Sequence, residues 1–313
     1  MERSNSFRSI SRPRILQLRA SFIPPKDLSN FARVPDHPVL HDPTILRDNT
    51  TREEVVIKHH GAQILSYKTP DYDVFATRPD AVFDGSKPIS GGVPICFPQF
   101  GTGGLPQHGF ARNMKWECID TRHEYARGMK TFSFSRDLAR ASFQLRSNNE
   151  TRKIWPYDFI AHLNVDLTAG RLKMDFRVIN IGTEAFNFTA AFHTYFAVDD
   201  LDRFRIVGDF IGKDYLDKTL SPPAMRVETE DVLAIRGPTE RIYHHVPEYM
   251  ELRDGNKSVT ILSNGWEDLA VWNPYGREDM GYRGFVCVEH CIHRPVLLEP
   301  MDFWSGVAEL LPK

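Results

Sequence analysis

The chain reads as an all-β protein, one large antiparallel β-sandwich running from about residue 35 to residue 313. Two observations predict this. Apolar residues alternate with polar ones at period two through several segments, the mark of half-buried strands. No long segment carries helical periodicity, and strands do not alternate with helices as a parallel α/β sheet requires.

The clearest strands are Asp158 to Leu167 (DFIAHLNVDL) and Arg171 to Val178 (RLKMDFRV). Phe159, Ala161, Leu163, Val165 and Leu167 share one face of the first; Leu172, Met174, Phe176 and Val178 share one face of the second. Thr168, Ala169 and Gly170 join them as a hairpin. Thr131 to Ser135 and Ser142 to Arg146 read as another pair. Gln63 to Tyr67, Ser258 to Leu262 and Leu269 to Trp272 are further short strands. Turn signals stand at Asn148-Asn149, Asp254-Gly255 and Asn264-Gly265.

Composition narrows the function classes. The chain has 313 residues, 39 basic and 41 acidic side chains and a formal net charge of -2. That balance argues against a nucleic-acid binder, which usually carries a basic excess. Apolar runs stay short of the about 20 residues that span a bilayer, so no membrane association is expected. The four cysteines, 96, 118, 287 and 291, are too few and too scattered for a disulfide scaffold in so long a chain. A reducing compartment is the simpler setting. Residues 1–34 form a separate segment. Its first 25 residues hold five arginines, five serines and one acidic residue. This composition fits an organellar transit peptide or a disordered basic tail, and so a plastid, a mitochondrion or the cytoplasm.

Three segments could carry chemistry. Gly91 to Asn113, GGVPICFPQFGTGGLPQHGFARN, packs six glycines and three prolines around three phenylalanines. Glycine loosens the backbone and proline removes a donor, so an ordered loop is expected rather than a helix or central strand. It presents Gln107, His108 and Arg112, the kind of side chains that contact ligands from loops. In NFTAAFHTY (187–195), a strand would place His193 on a polar face with Asn187 and Thr189. An imidazole titrates at about 6.5, which suits proton transfer near neutrality. In VCVEHC (286–291), alternation puts Cys287, Glu289 and Cys291 on one face and His290 on the other. A carboxylate inside an apolar strand is costly unless it has a partner or a purpose. Burial would raise its pKa toward that of a working base. Zinc held by Cys287, Cys291 and His293 is an alternative, disfavoured because no C-x-x-C pair or second ligand cluster accompanies them; no metal is assigned.

Taken together, six blocks in order resemble the aldose 1-epimerase (mutarotase) superfamily, and most closely its glucose-6-phosphate 1-epimerases. They are GGVPICFPQFG, LPQHGFARN, IWPYDF, AFHTYFAV, VWNP and FVCVE. The resemblance implies a galactose-mutarotase-like β-supersandwich. It implies that His193 and Glu289 are the catalytic acid and base, that Gln107 and Arg112 bind substrate, and that His108 contacts a sugar hydroxyl. It implies a small-molecule partner, a sugar or sugar phosphate, and no cofactor. Phe97 or Trp272 is expected to stack on the sugar. Two substrate-contacting positions depart from the family pattern. Ser90 stands where arginine usually precedes the G-G-V-P block, and Glu240 where aspartate is common. Both bear on phosphate affinity, because serine cannot replace a guanidinium's paired donors. Lys87, three residues before Ser90, is the expected compensating charge. Two other readings stay open: a mutarotase of unphosphorylated aldoses, and a non-catalytic carbohydrate-binding protein on the same fold.

Overall fold

A computed structural model describes residues 43–83, 87–124 and 138–313. Segment 1–34 and the expected strand 131–135 lie outside them. The strands form three sheets, paired antiparallel throughout. The small one runs Thr44–Asp48, Glu53–Lys58, Gln63–Lys68. A nine-stranded sheet runs Val232–Leu233, Arg205–Val207, Tyr249–Asp254, Lys257–Asn264, Phe303–Pro312, Arg171–Asn180, Phe159–Thr168, Leu138–Arg146, Glu117–Glu124. The eight-stranded sheet that carries the site runs Ala224–Val227, Asp214–Asp217, Thr239–Tyr243, Asp268–Asn273, Phe285–Leu298, Phe186–Phe192, Ile95–Cys96. Tyr195–Ala197 also pairs with Phe285–Leu298.

The hairpin at 168–171 closes with Thr168 opposite Arg171, and Ala169 and Gly170 both take positive φ, 49° and 74°. Positive φ at both central residues is what a two-residue hairpin needs to match the strands' twist. The Ser142 to Arg146 strand is present within Leu138–Arg146, paired on one side with Glu117–Glu124 and on the other with Phe159–Thr168. The Asn148-Asn149 signal is not a turn. Asn148 caps the short helix Asn149–Ile154, its side chain accepting from Glu150 N and Thr151 N while Thr151 Oγ1 accepts from Asn148 N. An asparagine side chain can satisfy a helix's first free N–H groups as readily as a turn's. No described helix is long and apolar enough to cross a membrane.

Aromatic side chains fill the space between the two large sheets. Phe176 and Phe188 both meet Trp304 edge-on, with centroids 6.1 and 5.6 Å apart. Phe97, fully buried, contacts Phe110, Trp155, Phe159, Phe176 and Phe188. Such contacts combine large apolar burial with favourable edge-to-face geometry. Phe97 is therefore the anchor of the 91–113 loop and cannot stack on a sugar.

The loop itself is ordered by backbone approach. Phe110 N and Ala111 N both donate to Phe97 O, at 3.0 Å each. Gly109 makes this possible: it has φ 69°, and a Cβ there would lie 2.2 Å from Phe97 O. Gly104 has open space around it. Gly109→Ala should therefore destabilise the protein by more than about 1 kcal/mol, and Gly104→Ala should stay within about 0.5 kcal/mol. Urea denaturation of both variants checks this; equal midpoints would remove the steric argument.

Candidate active site

His193 and Glu289 come from neighbouring strands of the eight-stranded sheet. Phe192 pairs with His290 on one side of the histidine, and Tyr195 with Cys287 on the other, in one unbroken register. His193 thus falls directly opposite Glu289, where side chains emerge on the same face. The expected continuous strand is interrupted here: it stops at Phe192 and resumes at Tyr195. The loop supplies the missing partner, Pro94 O accepting from His193 N at 3.0 Å.

Alternation in Phe285–Leu298 is as expected. Val286, Val288 and Ile292 face the sandwich core. Cys287 packs with Tyr195 and Phe285 on the other face, and Cys291 with Cys96, Ala191, Ile242 and Ala270. Glu289 stands between these two small apolar clusters, 2% exposed. His193 Nδ1 lies 3.4 Å from Glu289 Oε1. His193 Nδ1 and Glu289 Oε2 are buried with no hydrogen-bond partner.

Burial sets the electrostatics. It raises the Glu289 carboxyl well above the usual range, assisted by Glu240 and opposed by Lys218 and Arg112. It lowers the His193 imidazole well below its usual range, with His108 and Arg112 adding to the effect. Both shifts disfavour the charged form of a desolvated group. Burial thus favours the uncharged form of each group, a protonated carboxyl beside a neutral imidazole. The resemblance implies a protonated His193 as the acid, and burial disfavours that charged form.

The loop covers the pair with His108, whose ring lies 5.2 Å from that of His193. His108 holds a positive φ of 62°. Its Nδ1 accepts from Gly101 N at 3.3 Å and lies 3.3 Å from Cys96 Sγ. Burial takes its pKa down to about 3, so the ring is neutral and carries its proton on Nε2. Arg112 sits in the short helical turn Ala111–Asn113, and its Nη2 donates to Gln107 O at 2.8 Å. Arg112 Nε is buried and unpartnered. Gln107 is exposed and serves the site here through its carbonyl.

A second row of side chains crosses the same sheet face. Tyr195 is opposite Cys287, Cys287 opposite Trp272, and Trp272 opposite Glu240. Glu240 O accepts from Lys218 N, and the two side chains form an ion pair. Tyr195 stacks on His193, with rings 10° from parallel, and Trp272 meets His193 edge-on. Trp272 thus lies beside His193 on the same sheet face as Glu289. Ser90 is partly buried, and its carbonyl accepts from Arg78 N at 2.9 Å. Lys87 is exposed.

Sequence reading assigned no role to Lys218, Arg78, Tyr195 or Cys96. Tyr195 and Cys96 lie in quoted blocks; Lys218 and Arg78 carry no local signal, because pairing between distant segments alone brings them to the site. The Cys287, Cys291 and His293 zinc set does not converge. Among the described residues one group has metal-ligand types with all donor atoms within 4.8 Å, and it is His193, Cys287 and Glu289.

Comparison with known proteins agrees with this geometry. The profile of the family described as aldose 1-epimerase matches residues 43–310. A "putative glucose-6-phosphate 1-epimerase" from Cenchrus ciliaris is 33% identical, covering 79% of this chain and 78% of its own. A protein of the same name from Escherichia coli (strain K12) is 31% identical, covering 73% and 76%. The crystal structure of a "putative mutarotase" from Salmonella typhimurium superposes with a TM-score of 0.71 at 24% identity, over 83% of this chain and 87% of that one. A galactose mutarotase related enzyme from Lactobacillus acidophilus gives 0.67 at 18%, over 87% and 97%. With a family match spanning nearly every described residue and a sheet face that pairs a buried histidine with a buried glutamate, the chain belongs to the aldose 1-epimerase family and is an isomerase of that class.

Proposed function

We propose that the protein interconverts the α and β anomers of a hexose 6-phosphate, with Glu289 and His193 as the acid–base pair. The observation that carries the reading is the pair itself: two buried, otherwise unpartnered proton-transfer groups 3.4 Å apart. Leaving such groups unpaired is costly, and sugar oxygens reaching them would recover hydrogen bonds. The phosphosugar substrate is supported by the names of the relatives at 33% and 31% identity.

In the forward direction Glu289 takes the proton of the anomeric O1 hydroxyl. The C1–O5 bond breaks, and the ring oxygen takes the proton of His193. The open chain then carries a C1 aldehyde, which rotates about C1–C2. Closure reverses the transfers on the other face of the carbonyl. After ring opening the pair consists of protonated Glu289 and neutral His193. Both groups are then uncharged, the form that burial favours for each. The reaction consists of proton transfers, the breaking and re-forming of one C–O bond and a bond rotation, and this chemistry calls for no cofactor. His108 and Arg112 hold substrate oxygens from the loop, and Trp272 offers a ring to the sugar face.

The direct test is the α-to-β exchange rate of glucose 6-phosphate by NMR magnetisation transfer, with glucose and galactose in parallel. Acceleration of the phosphosugar is expected; no acceleration of any of the three would overturn the proposal and favour a binding protein. Glu289→Gln keeps the shape but cannot cycle a proton, so kcat should fall at least about 100-fold with KM nearly unchanged. A kcat within threefold of the parent would remove Glu289 from the mechanism. The pH dependence follows from the same two shifts. A second proton on the pair is disfavoured by burial and by Arg112, so kcat should be lost on the acid side only below the usual histidine range of about 6.5. Removing the last proton would leave a buried anion, so the alkaline limb should lie well above the usual carboxylate range. A kcat profile with its acid inflection at or above 6.5 would contradict this.

A further inference from the structure

We infer that Arg78 binds the 6-phosphate of the substrate, and that the Glu240–Lys218 pair lies at the opposite, anomeric end of the site. The inference rests on the hexose 6-phosphate reading and adds the direction in which the sugar lies.

The sheet gives that direction. His193 belongs to the ring oxygen and Glu289 to O1, and these residues occupy adjacent strands. In a hexopyranose, C6 hangs from C5, the neighbour of the ring oxygen on the side away from O1. The 6-phosphate therefore leaves the ring on the His193 side. Glu240 and Lys218 lie on the Glu289 side. Four strand steps separate Tyr195 from Lys218 in the row described above, about 19 Å at the usual strand spacing.

Arg78 lies on the His193 side. Ala76 N donates to Tyr195 O at 2.9 Å, and Gly92 N to Ala76 O at 2.8 Å. Thr77 is bridged to Gly91, and Arg78 N donates to Ser90 O. Ala76 packs on the cluster of Tyr195, Phe285 and Cys287. In an extended segment, residues two apart share a face. The Arg78 side chain thus leaves toward the same cluster, and it is only 13% exposed. Its charge acts on His193, Tyr195 and Cys287. Nε and Nη2 donate to Asp80, which fixes the guanidinium plane and leaves Nη1 with no partner among the described residues. That edge is spent on Asp80, and the remaining Nη1–Nη2 edge is the one left to meet a phosphate. Arg78 also stands across the ladder from Ser90, so the charge missing at that position is supplied by the facing segment, whereas Lys87 is exposed.

The test is the KM and kcat of Arg78→Met for glucose 6-phosphate by the same exchange measurement. Loss of a charge-assisted pair should raise KM about 10- to 100-fold, with kcat within about twofold. Arg78→Lys, which keeps the charge and loses the fork, should fall between. Recovery of affinity when Ser90→Arg is added to Arg78→Met would support the placement. An unchanged KM in both single variants overturns the inference while the epimerase reading stands. A fall in kcat at unchanged KM also overturns it, since that marks a positioning role toward His193. If the parent protein accelerates only unphosphorylated sugars, the phosphosugar reading fails and this inference fails with it.

Discussion

The organisation of the site depends on placing a carboxyl group in the middle of a buried strand. Glu289 has apolar neighbours before and after it on its own face, and a continuous ladder to Asp268–Asn273 on one side. Desolvation there penalises the anion, so the group needs a proton or a positive partner. His193 stands opposite it. The arrangement works because the strand carrying the histidine is cut at 193–194 without losing register. His193 N donates to Pro94 O of the covering loop, and the kept register sets the imidazole opposite the carboxyl.

The covering loop joins the site to the core. Phe97 is locked among five aromatic rings, and its carbonyl takes two backbone donors from the other end of the loop. This closure places His108 against His193 and fixes the turn that carries Arg112. A glycine at 109 is the steric condition for it, because any Cβ would strike the same carbonyl. Core packing and site geometry are thus one constraint: residues that never meet substrate hold those that face it.

Charge is distributed unevenly around the pair. Arg112 acts on both its members and on His108. Arg78 acts on the histidine side, and Glu240 and Lys218 on the glutamate side. This asymmetry is the kind that orients a substrate with one anionic end. It also keeps the pair from taking a second proton, since cations stand near the histidine.

Much of this was legible in the sequence. Period-two alternation located the principal strands, among them the one with Glu289 facing away from the valines, because side-chain direction in a strand follows from position alone. The glycines and prolines of 91–113 marked an ordered loop for the same local reason. The roles proposed for His193 and Glu289 come from the resemblance, and what the tertiary structure added was their placement opposite one another. Local pattern failed where a competing local device existed: Asn148 reads as a turn and acts as a helix cap. It failed again where hydrophobicity was ambiguous, so that Phe97 was read as a sugar platform and is a core anchor. The rise in the Glu289 pKa follows from the strand pattern, whereas the lowering at His193 depends on burial and on the nearby His108 and Arg112, which no linear pattern reports. Arg78 and Lys218 joined the site only through pairing between segments far apart in the chain. Long-range register is set by the packing of the whole sandwich, and local sequence does not encode which residues it brings side by side.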